Sequence, residues 1–408
     1  MKNLVVAMAL LSTSTFASEY IVKLKNQNSL KEMKTTLNAK SLDLSFGNFA
    51  LIKTNNKSDL TSLRENPQVE YIEPNYTYKV INTSPKDKEF KKQWGLENDG
   101  KNSGGIFSRG VVGVDISAIQ AWKTTKGHKD VKIAVIDTGV DYNHEDLKNN
   151  IMVNMSEKSG IAGVDDDGNG YIDDVYGYDF ANDDADPMDG HGHGTHCAGV
   201  IGAEHNGIGI VGVMANVQIL PIKFLTDQGS GTLEGALKAI DYATQMGVHV
   251  MSNSWGGGGR SEALFEAIQR AKDAGISFIA AAGNESNNND TKATYPASYK
   301  LDNVISVGAI DGKGKKASFS NYGKTTVHVF APGVKIFSTV SNNKYKKMSG
   351  TSMACPHVAG VAGLLIASEP NLTYLEVKAK LMNTAIPSKE LSPYTVSGYV
   401  DAANALTK

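Results

Sequence analysis

Short apolar segments alternate with amphipathic helical patterns from Val131 onward, and this alternation constrains the fold more than any other feature of the chain. Each apolar segment is bounded by Gly, Asn or Asp, which is typical of strands buried on both faces. Strands separated by helices form a parallel sheet that those helices cover on both faces. The segments are KIAVID, QILPIKFL, VHVMSNSW, SFIAAAGN and VISVGA, with helices predicted over 232–246 and 261–275. We therefore predict an α/β fold with a doubly wound parallel sheet and helices on both faces.

Polar residues follow three of the predicted strands at their carboxyl ends. KIAVID ends on Asp137, VHVMSNSW runs through Ser254, and SFIAAAGN ends on Asn284. Parallel strands bring their carboxyl ends to one edge of the sheet, which is where doubly wound folds place their functional site. We expect these three residues to lie near one another.

The composition is that of a soluble globular protein. Hydrophobic residues make up 41% and charged residues 21% of the 408 residues. This length suits one large α/β domain with a small one beside it. The formal net charge is -2 and no Lys/Arg-rich run occurs, so nucleic acid is not an expected partner.

The first 17 residues are typical of a secretory signal peptide. They contain a lysine, an apolar run from Leu4 to Leu11, and small polar residues before Ala17. The run is far shorter than the roughly 20 residues of a membrane span, and no cysteine follows it as a lipidation site. We expect export to the periplasm or the medium without a membrane anchor. A buried N-terminal strand or helix is the alternative.

Residues 18–80 form a separate, lysine-rich α+β region. Strands are predicted over 19–25 and 49–54 and in QVEYIEPN, with helices near 30–37 and 57–64. Residues 81–92 are rich in Lys, Asp, Ser and Pro, which is typical of an exposed, cleavable linker. The large domain is then expected over 93–408.

Three motifs carry the candidate chemistry: AVIDTGVD around Asp137, HGHGTHCAG around His193 and GTSMACPHVAG around Ser352. An acid, an imidazole and a hydroxyl are the groups that make a serine nucleophilic at neutral pH. Taken alone, Ser352 could be a helix N-cap and Asp137 a turn residue. The spacing of His191, His193 and His196 would also suit zinc, but no HExxH motif or cysteine pair completes such a site.

With AAAGN before Asn284, the motifs in the order Asp, His, Ser resemble the subtilisin-like serine proteases, or subtilases. The resemblance implies a subtilisin-like catalytic domain over 93–408 and an inhibitory propeptide over 18–80, with maturation cleavage in the linker; an unrelated N-terminal domain is the alternative. It implies a secreted serine endopeptidase that cleaves proteins or peptides. Such an enzyme is made as a self-processing precursor whose own propeptide is an intramolecular inhibitor. We expect a monomer without an organic cofactor.

The resemblance also assigns roles to individual residues. Ser352 is expected to be the nucleophile, His193 its general base and Asp137 the residue that orients His193. The Asn284 side chain is expected to donate to the oxyanion together with the Ser352 backbone N–H. Thr294 falls where many subtilases carry glycine at the floor of the primary specificity pocket. Two segments are expected to bind an extended substrate: Gly229, Ser230 and Gly231, and Ser254, Trp255 and Gly256.

Two calcium sites are implied in the same way. The loop DDDGNGYIDDVYGYDF resembles an inserted calcium-binding loop of some subtilases, although Tyr176 at its twelfth position excludes an EF-hand. A solvated acidic turn is the alternative. A second site pairs Asp146 with Asn206. The expected side-chain ligands of the loop are Asp165, Asp167, Asn169, Asp173 and Asp174.

Cys197 and Cys355 are the only cysteines, and each lies inside a catalytic motif. A disulfide and a pair of buried thiols are both open at this point.

Two other classes of protein are compatible with parts of this pattern. A catalytically idle binding protein on the same scaffold would not need all of the expected catalytic residues. An esterase of the α/β-hydrolase type requires G-x-S-x-G and the order Ser, Asp, His, whereas here the serine comes last.

Overall fold

The computed structural model describes residues 19–36, 39–54, 56–75, 84–101 and 109–408. The predicted signal peptide lies outside the described residues. The chain divides into two compact units, Met1–Asn82 and Thr83–Lys408, and each contains its own hydrophobic core.

The first unit is a small α+β module. Its elements are β1 (Glu19–Leu24), α1 (Gln27–Thr36), β2 (Lys40–Leu44), β3 (Gly47–Lys53), α2 (Lys57–Glu65) and β4 (Val69–Pro74). The strands form an antiparallel sheet of order β2-β3-β1-β4, and alternate residues of β1 point into the core. The sequence patterns did not predict β2, because KSLDL is short and mixes charged with apolar residues; its pairing with β3 stabilises it.

The second unit is built on a seven-stranded sheet. The strands of the sheet are β5 (Gly127–Asp137), β6 (Tyr178–Asp179), β7 (Asn216–Lys223), β8 (Val250–Asn253), β9 (Ser277–Ala281), β10 (Val304–Ile310) and β11 (Val329–Pro332). Two further strands of this unit lie outside that sheet: β12 (Ile336–Val340) and β13 (Lys344–Met348). Its helices are α3 (Ala118–Ala121), α4 (Met155–Ser159), α5 (His193–Gly202), α6 (Leu233–Gln245), α7 (Glu262–Asp273), α8 (Thr351–Ser368), α9 (Tyr374–Asn383) and α10 (Ala402–Thr407). The parallel sheet has the order β11-β10-β9-β8-β5-β7-β6, and β12 pairs with β13 as an antiparallel hairpin.

Helices cover both faces of the parallel sheet, as successive residues of β5 show. Ile133 and Val135 pack in the core that contains α5 and α8. Ala134 and Ile136 pack in the other core, under α6 and α7. All four side chains are fully buried. The doubly wound α/β fold and its five predicted strands are confirmed.

The two predicted helices begin at side-chain caps. Thr232 Oγ1 accepts a hydrogen bond from Gly235 N at 3.0 Å, and Ser261 Oγ accepts one from Leu264 N at 3.2 Å. Such caps satisfy N–H groups that the first helical turn leaves unpaired. Both helices therefore start one residue after their caps, and both end within the predicted bounds.

The α8 helix crosses the middle of the second unit. Among the described residues it is the one helix long and apolar enough to span a membrane, but 83% of it is buried inside the fold, which is the pattern of a core helix. A Cβ atom on Gly360 would stand 2.6 Å from Val213 Cβ, and one on Gly363 would stand 2.9 Å from Ile133 Cδ1. The small-residue sequence of α8 thus lets it lie directly against its neighbours.

Part of the predicted linker belongs to the second unit. Within residues 81–92, Asp87 is 6% exposed and Phe90 is 4% exposed. Gln93 is also buried, and its amide exchanges hydrogen bonds with the Val211 backbone at 2.7 and 2.9 Å. The expectation of an exposed linker is therefore wrong for this part of the segment, because these side chains pack into the larger core.

Candidate active site

The predicted catalytic and substrate-binding residues meet at one cleft beside the carboxyl ends of the central strands. The cleft has a volume of about 990 Å³. His193, Asn284 and Ser352 line it, together with both segments expected to bind substrate, 229–231 and 254–256. Asp137 lies behind His193 at the end of β5 and is fully buried. The sheet edge thus collects residues that are far apart in the sequence.

Asp137 and His193 form a close ion-pairing contact. The distance between His193 Nδ1 and Asp137 Oδ1 is 2.7 Å, and Asp137 Oδ1 also accepts from Thr138 N at 2.7 Å. Burial by itself lowers the pKa of His193, but the charge and hydrogen bond of Asp137 outweigh it, so the pKa lies above its ordinary value. The pair therefore favours an imidazolium, which is the form a general base takes after accepting a proton.

Ser352 occupies the first turn of α8 and exchanges hydrogen bonds with Ser254. Its Oγ donates to the Ser254 carbonyl at 3.0 Å, and the Ser254 hydroxyl donates to the Ser352 carbonyl at 2.9 Å. The Ser352 carbonyl can accept no helical bond from residue 356, because Pro356 has no N–H. The Ser254 hydroxyl therefore replaces the N–H donor that Pro356 lacks, and it holds the Ser352 backbone against the end of β8.

The Asn284 amide is oriented by the residue before Ser352. Asn284 Oδ1 accepts from Thr351 N at 2.8 Å and from Thr351 Oγ1 at 3.0 Å. The Asn284 side chain lines the cleft, and its amino group lies near the Ser352 N–H. Measured from the place where a Cβ on Gly350 would stand, Asn284 Nδ2 is 3.7 Å away and Ser352 N is 3.6 Å away. The amide nitrogen of Asn284 and the backbone nitrogen of Ser352 thus lie near the same point, although they belong to different parts of the chain.

The two segments expected to bind substrate both line the cleft. Both segments contain exposed backbone at glycine positions. Next to the second segment, a Cβ on Gly256 would stand 3.7 Å from Thr294 Cγ2 and 3.1 Å from the Tyr295 carbonyl oxygen. Thr294 Oγ1 bonds to Asn289 at 3.2 Å, so the methyl group of Thr294 is the part that faces Gly256. This part of the cleft is narrow.

The histidines of the second motif do not converge on a metal. His196 is buried in α5, and its Nε2 lies 3.0 Å from the Ile336 carbonyl oxygen. Burial lowers the pKa of His196 to about 3, so it is a neutral core residue. His191 lies instead on the exposed wall of the cleft. Among the described residues, no metal-ligand cluster joins His191, His193 and His196, so their spacing does not produce the zinc site that it would suit.

Cys197 and Cys355 are both buried and both reduced. The disulfide interpretation is wrong, and the interpretation as two buried thiols is confirmed. Cys197 Sγ donates to the Ser352 carbonyl at 3.4 Å, and Cys355 Sγ donates to the Ile279 carbonyl at 3.5 Å. Burial raises the pKa of both thiols, which keeps them protonated.

The predicted calcium loop is organised around side-chain oxygens. Asp167 Oδ2 and Asp174 Oδ1 both accept from Asn154 Nδ2 at 2.8 Å, and Asn169 donates to both aspartates. The two oxygens of Asp165 are occupied by backbone N–H groups of 168–170. The Asp173 side chain bonds elsewhere: its Oδ2 accepts a hydrogen bond from Gly163 N at 2.9 Å and, among the described residues, shares no partner with Asp167 or Asp174.

Glu157 completes this loop, and the sequence analysis did not identify it. Its side chain is 4% exposed, and its two oxygens accept from the backbone of Asp166 and Asp173 at 2.7 and 2.9 Å. Oxygen atoms of Glu157, Asp165 and Asp167 lie within 4.8 Å of one another. Glu157 lies in α4, outside the acidic loop, so only the folded arrangement shows its contribution.

The second predicted calcium site contains a buried oxygen without a partner. Asp146 is fully buried; its Oδ2 accepts from Tyr345 Oη and from Ile210 N at 2.8 Å, but its Oδ1 has no hydrogen-bond partner among the described residues. Asn206 lies on the adjoining loop, where its backbone N–H donates to Asp87 at 3.0 Å. Asp87 was not predicted. Burial raises its pKa, and the nearby Asp146 charge raises it further.

An Asp–His pair and a serine at the start of a buried helix, sharing one cleft at the edge of a parallel sheet, are the groups of a serine hydrolase. The family model for subtilases matches residues 128–404, and the chain belongs to the subtilase family. This confirms the subtilisin-like fold and the serine endopeptidase activity. It excludes the esterase alternative and removes the grounds for the idle binding protein.

Known proteins agree with this assignment. The chain is 38% identical over 400 residues to a thermophilic serine proteinase of Bacillus sp. (strain AK1), covering 95% of this chain and 87% of that protein. It is 38% identical over 292 residues to thermitase of Thermoactinomyces vulgaris, covering 71% of this chain and 93% of thermitase. A crystal structure of a cold-adapted subtilisin-like serine proteinase superposes with a TM-score of 0.57 at 35% identity, covering 67% of this chain and 89% of that chain.

Proposed function

We propose that this chain is the precursor of a secreted, calcium-stabilised serine endopeptidase that removes its own N-terminal segment. Ser352 attacks the carbonyl carbon of the scissile peptide bond, and its proton passes to His193 Nε2. His193 then gives that proton to the leaving amine, which departs as the acyl group stays on Ser352. Water then loses a proton to His193 and attacks the acyl carbon; the bond to Ser352 breaks, the acyl group leaves as a carboxylic acid, and His193 returns the proton to Ser352 Oγ. The 2.7 Å contact between His193 and Asp137 is the observation that carries this proposal.

The hydroxyl of Ser352 has to turn before it can react. It donates to the Ser254 carbonyl in this structure, so rotation about its Cα–Cβ bond directs it toward His193. Asn284 and the Ser352 N–H receive the negative charge that develops on the carbonyl oxygen. The orientation of the Asn284 amide by Thr351 supports this role, because both contacts use the amide oxygen and neither uses the amino group.

The substrate binds as an extended strand between residues 229–231 and 254–256. Main-chain hydrogen bonds along these walls are independent of the substrate side chains, which suits an enzyme that cleaves proteins of varied sequence. The contact between Thr294 and the Gly256 region supports a preference for a small side chain before the cleaved bond, because the methyl group occupies space that a ring would need.

The test is a comparison of the full chain with its Ser352→Ala variant. Both are expressed as precursors and followed by intact mass and by digestion of an unfolded protein substrate. We expect digestion and N-terminal shortening only in the unmodified chain. Digestion by Ser352→Ala would overturn the assignment of the nucleophile, and equal shortening of both chains would overturn self-processing.

The first unit is proposed to be the inhibitory propeptide. Its separation from the second unit as a compact module with its own core supports this role. Cleavage is expected before Asp87, because Asp87 and Phe90 pack in the core of the second unit. Removing them would leave cavities, whereas a cut in the part of the predicted linker before Asp87, residues 81–86, spares that core. N-terminal sequencing of the mature enzyme locates the cut; a start after Phe90 would contradict the inference.

Calcium is proposed to bind at both predicted sites. At the Asp146 site, a buried carboxylate oxygen without a partner is costly unless a cation or donor completes it, and Asp87 brings a second carboxylate close by. At the acidic loop, Asp167, Asn169 and Asp174 cluster around Asn154. Bound calcium would neutralise the repulsion between these carboxylates and so stabilise the fold.

Chelation tests this proposal in the Ser352→Ala chain, where autolysis cannot interfere. With free calcium 1,000-fold above the dissociation constant, one site stabilises by about 4 kcal/mol. An unfolding entropy of about 2 cal/mol/K per residue converts that into a loss of about 6 °C in Tm on chelation. Asp146→Asn should lose the part of the response that comes from its own site and keep the part from the acidic loop, whereas the exposed Asp130→Asn should keep the whole response. An unchanged Tm in chelator would overturn the proposal.

Secretion rests on the pattern of residues 1–17. Full-length chain and a chain lacking those residues should differ in location, with only the first found outside the cytoplasm. Equal retention of both inside the cell would contradict export.

A further inference from the structure

Asp189 is a buried carboxylate beside the catalytic pair that has no role in the mechanism above. It is 2% exposed and lies on the loop before α5, which begins with His193. The N-cap residue of α5, Gly192, has no side chain to accept from the first helical turn. Asp189 takes over that function: it accepts from Gly192 N at 2.8 Å and from Thr195 N at 2.8 Å.

Asp189 also contacts the residue that follows Asp137. Thr138 Oγ1 donates to Asp189 Oδ1 at 2.9 Å and accepts from Gly194 N at 2.9 Å. Gly194 follows His193, and its Cα approaches the backbone so closely that a Cβ would stand 2.0 Å from the Gly139 carbonyl oxygen. Thr138 therefore joins the backbone after Asp137 to the backbone after His193, and Asp189 fixes the position of Thr138.

The charge of Asp189 opposes an unfavourable effect of the helix. His193 is the first residue of α5, where the partial positive charge of the helix N-terminus disfavours a cation. A carboxylate that accepts from the same N–H groups offsets this effect. The negative charge of Asp189 accordingly raises the pKa of His193, in the same direction as the larger effect of Asp137.

The other ionisable groups near His193 contribute little charge. His196 and Cys197 are neutral, because burial lowers the pKa of the first to about 3 and raises that of the second. The buried Lys223 ammonium donates to Asp227 at 2.8 Å, which balances its charge. His191 is exposed, with its ring centroid 6.2 Å from that of His193. Asp137 and Asp189 are thus the two carboxylates that govern the charge state of His193.

We propose that Asp189 is a positioning residue for the acyl-transfer reaction. Through Thr138 and the first turn of α5 it holds Asp137 and His193 at hydrogen-bonding distance, and its charge stabilises the imidazolium that forms when His193 takes the Ser352 proton. This inference rests on the proposed roles of Asp137, His193 and Ser352.

The pH dependence of kcat/KM separates this role from a merely structural one. In the full-length chain, Asp189→Asn keeps the size of the side chain and removes its charge. We expect kcat to fall roughly 100-fold, as for a catalytic group moved by about 1 Å, with KM little changed. The acidic limb of the pH profile should shift to lower pH, because the lost negative charge no longer supports the imidazolium. A purely structural residue would lower the active fraction without moving that limb.

Three comparisons keep the inference testable. Asp186→Asn makes the same chemical change on the same loop at an exposed residue and should leave kcat and the pH profile unchanged. Thr138→Val removes the link but leaves the Asp189 charge, so kcat should fall without a shift of the acidic limb; Thr138→Ser should restore it. Should Asp189→Asn not fold, these Thr138 variants decide the positioning claim, and unchanged kcat in Thr138→Val overturns it.

The failure of this inference is distinct from the failure of the proposed function. If Ser352→Ala is inactive and Asp189→Asn retains the kcat and acidic limb of the unmodified chain, only the role of Asp189 is refuted. If Ser352→Ala is active, the proposed mechanism fails and the role of Asp189 fails with it.

Discussion

The reciprocal hydrogen bonds between Ser254 and Ser352 predict a specific coupling with Pro356. Ser254→Ala removes the hydroxyl that donates to the Ser352 carbonyl at 2.9 Å. The carbonyl is then left with the weaker Cys197 thiol donor at 3.4 Å. A buried acceptor that loses its partner costs about 1–3 kcal/mol. At about 2 cal/mol/K of unfolding entropy per residue over Thr83–Lys408, 2 kcal/mol lowers Tm by about 3 °C.

Pro356→Ala offers a way to restore the missing donor. Its new N–H can form the helical hydrogen bond to the Ser352 carbonyl that proline prevents. The loss of stability in the Ser254→Ala, Pro356→Ala double variant should therefore be smaller than the sum of the single losses, by about 1 kcal/mol.

The assay is thermal unfolding of the full chain in the Ser352→Ala background, at one scan rate and one calcium concentration. Ser392→Ala is the matched control, because the Ser392 hydroxyl donates to a backbone carbonyl at an exposed site at 3.2 Å and its loss should change stability by less than about 0.5 kcal/mol. Additive losses in the double variant would refute this account of why Ser254 and Pro356 occur together.

Three further outcomes follow from the site and the core. Asn284→Ala should lower kcat with little change in KM. The loss already established for such an oxyanion donor in subtilisin is about 10²–10³-fold, and we expect a loss of that size. Full activity of the variant on a peptide amide would contradict the proposed role of Asn284. Thr294→Gly should raise the ratio of kcat/KM for substrates with Phe before the cleaved bond to kcat/KM for substrates with Ala there, by about tenfold or more. An unchanged ratio would show that Thr294 does not limit the pocket. Burial lowers the pKa of His205 and His357 to about 4, below the 6.5 of an unfolded imidazole. The contribution of each neutral histidine to stability is therefore fully present above pH 6.5, and it is lost as the pH falls toward 4, because the unfolded chain binds the proton first. Each should cost about 2 kcal/mol at pH 5, and His205→Gln should flatten the fall in Tm between pH 7 and 5; an equally steep fall would contradict this reasoning.

The sequence predicted the central strands because burial on both faces leaves a continuous apolar run. It did not predict the edge strands β6 and β11, which are short, or the β12–β13 hairpin. The β13 segment KYKKM carries three lysines and an exposed surface, so it shows no apolar alternation. Such strands are stabilised by pairing with a neighbour, and pairing partners are not visible in a local pattern.

The same difference separates the predicted from the unpredicted site residues. Asp137, His193 and Ser352 stand in motifs whose residue types indicate their chemistry. Asp87 and Glu157 stand in polar segments where an acidic residue is unremarkable, and only burial against other loops brings them to the proposed calcium sites. A short sequence segment shows that a loop is favoured there. It does not show whether a carboxylate in that loop is buried, because burial depends on the tertiary structure.

The arrangement of α5 and α8 explains why residues from three separate motifs lie together at the centre of the candidate site. Both helices begin at the carboxyl edge of the sheet, and both pack in the same core against β5. One packing arrangement therefore sets the positions of His193 and Ser352 relative to Asp137, which ends β5. Small residues in both motifs permit the close approach of these backbones, as Gly194 against Gly139 demonstrates. The residues proposed to perform the chemistry and those that bring the helices together are consequently neighbours in the sequence, so a single short motif contains both.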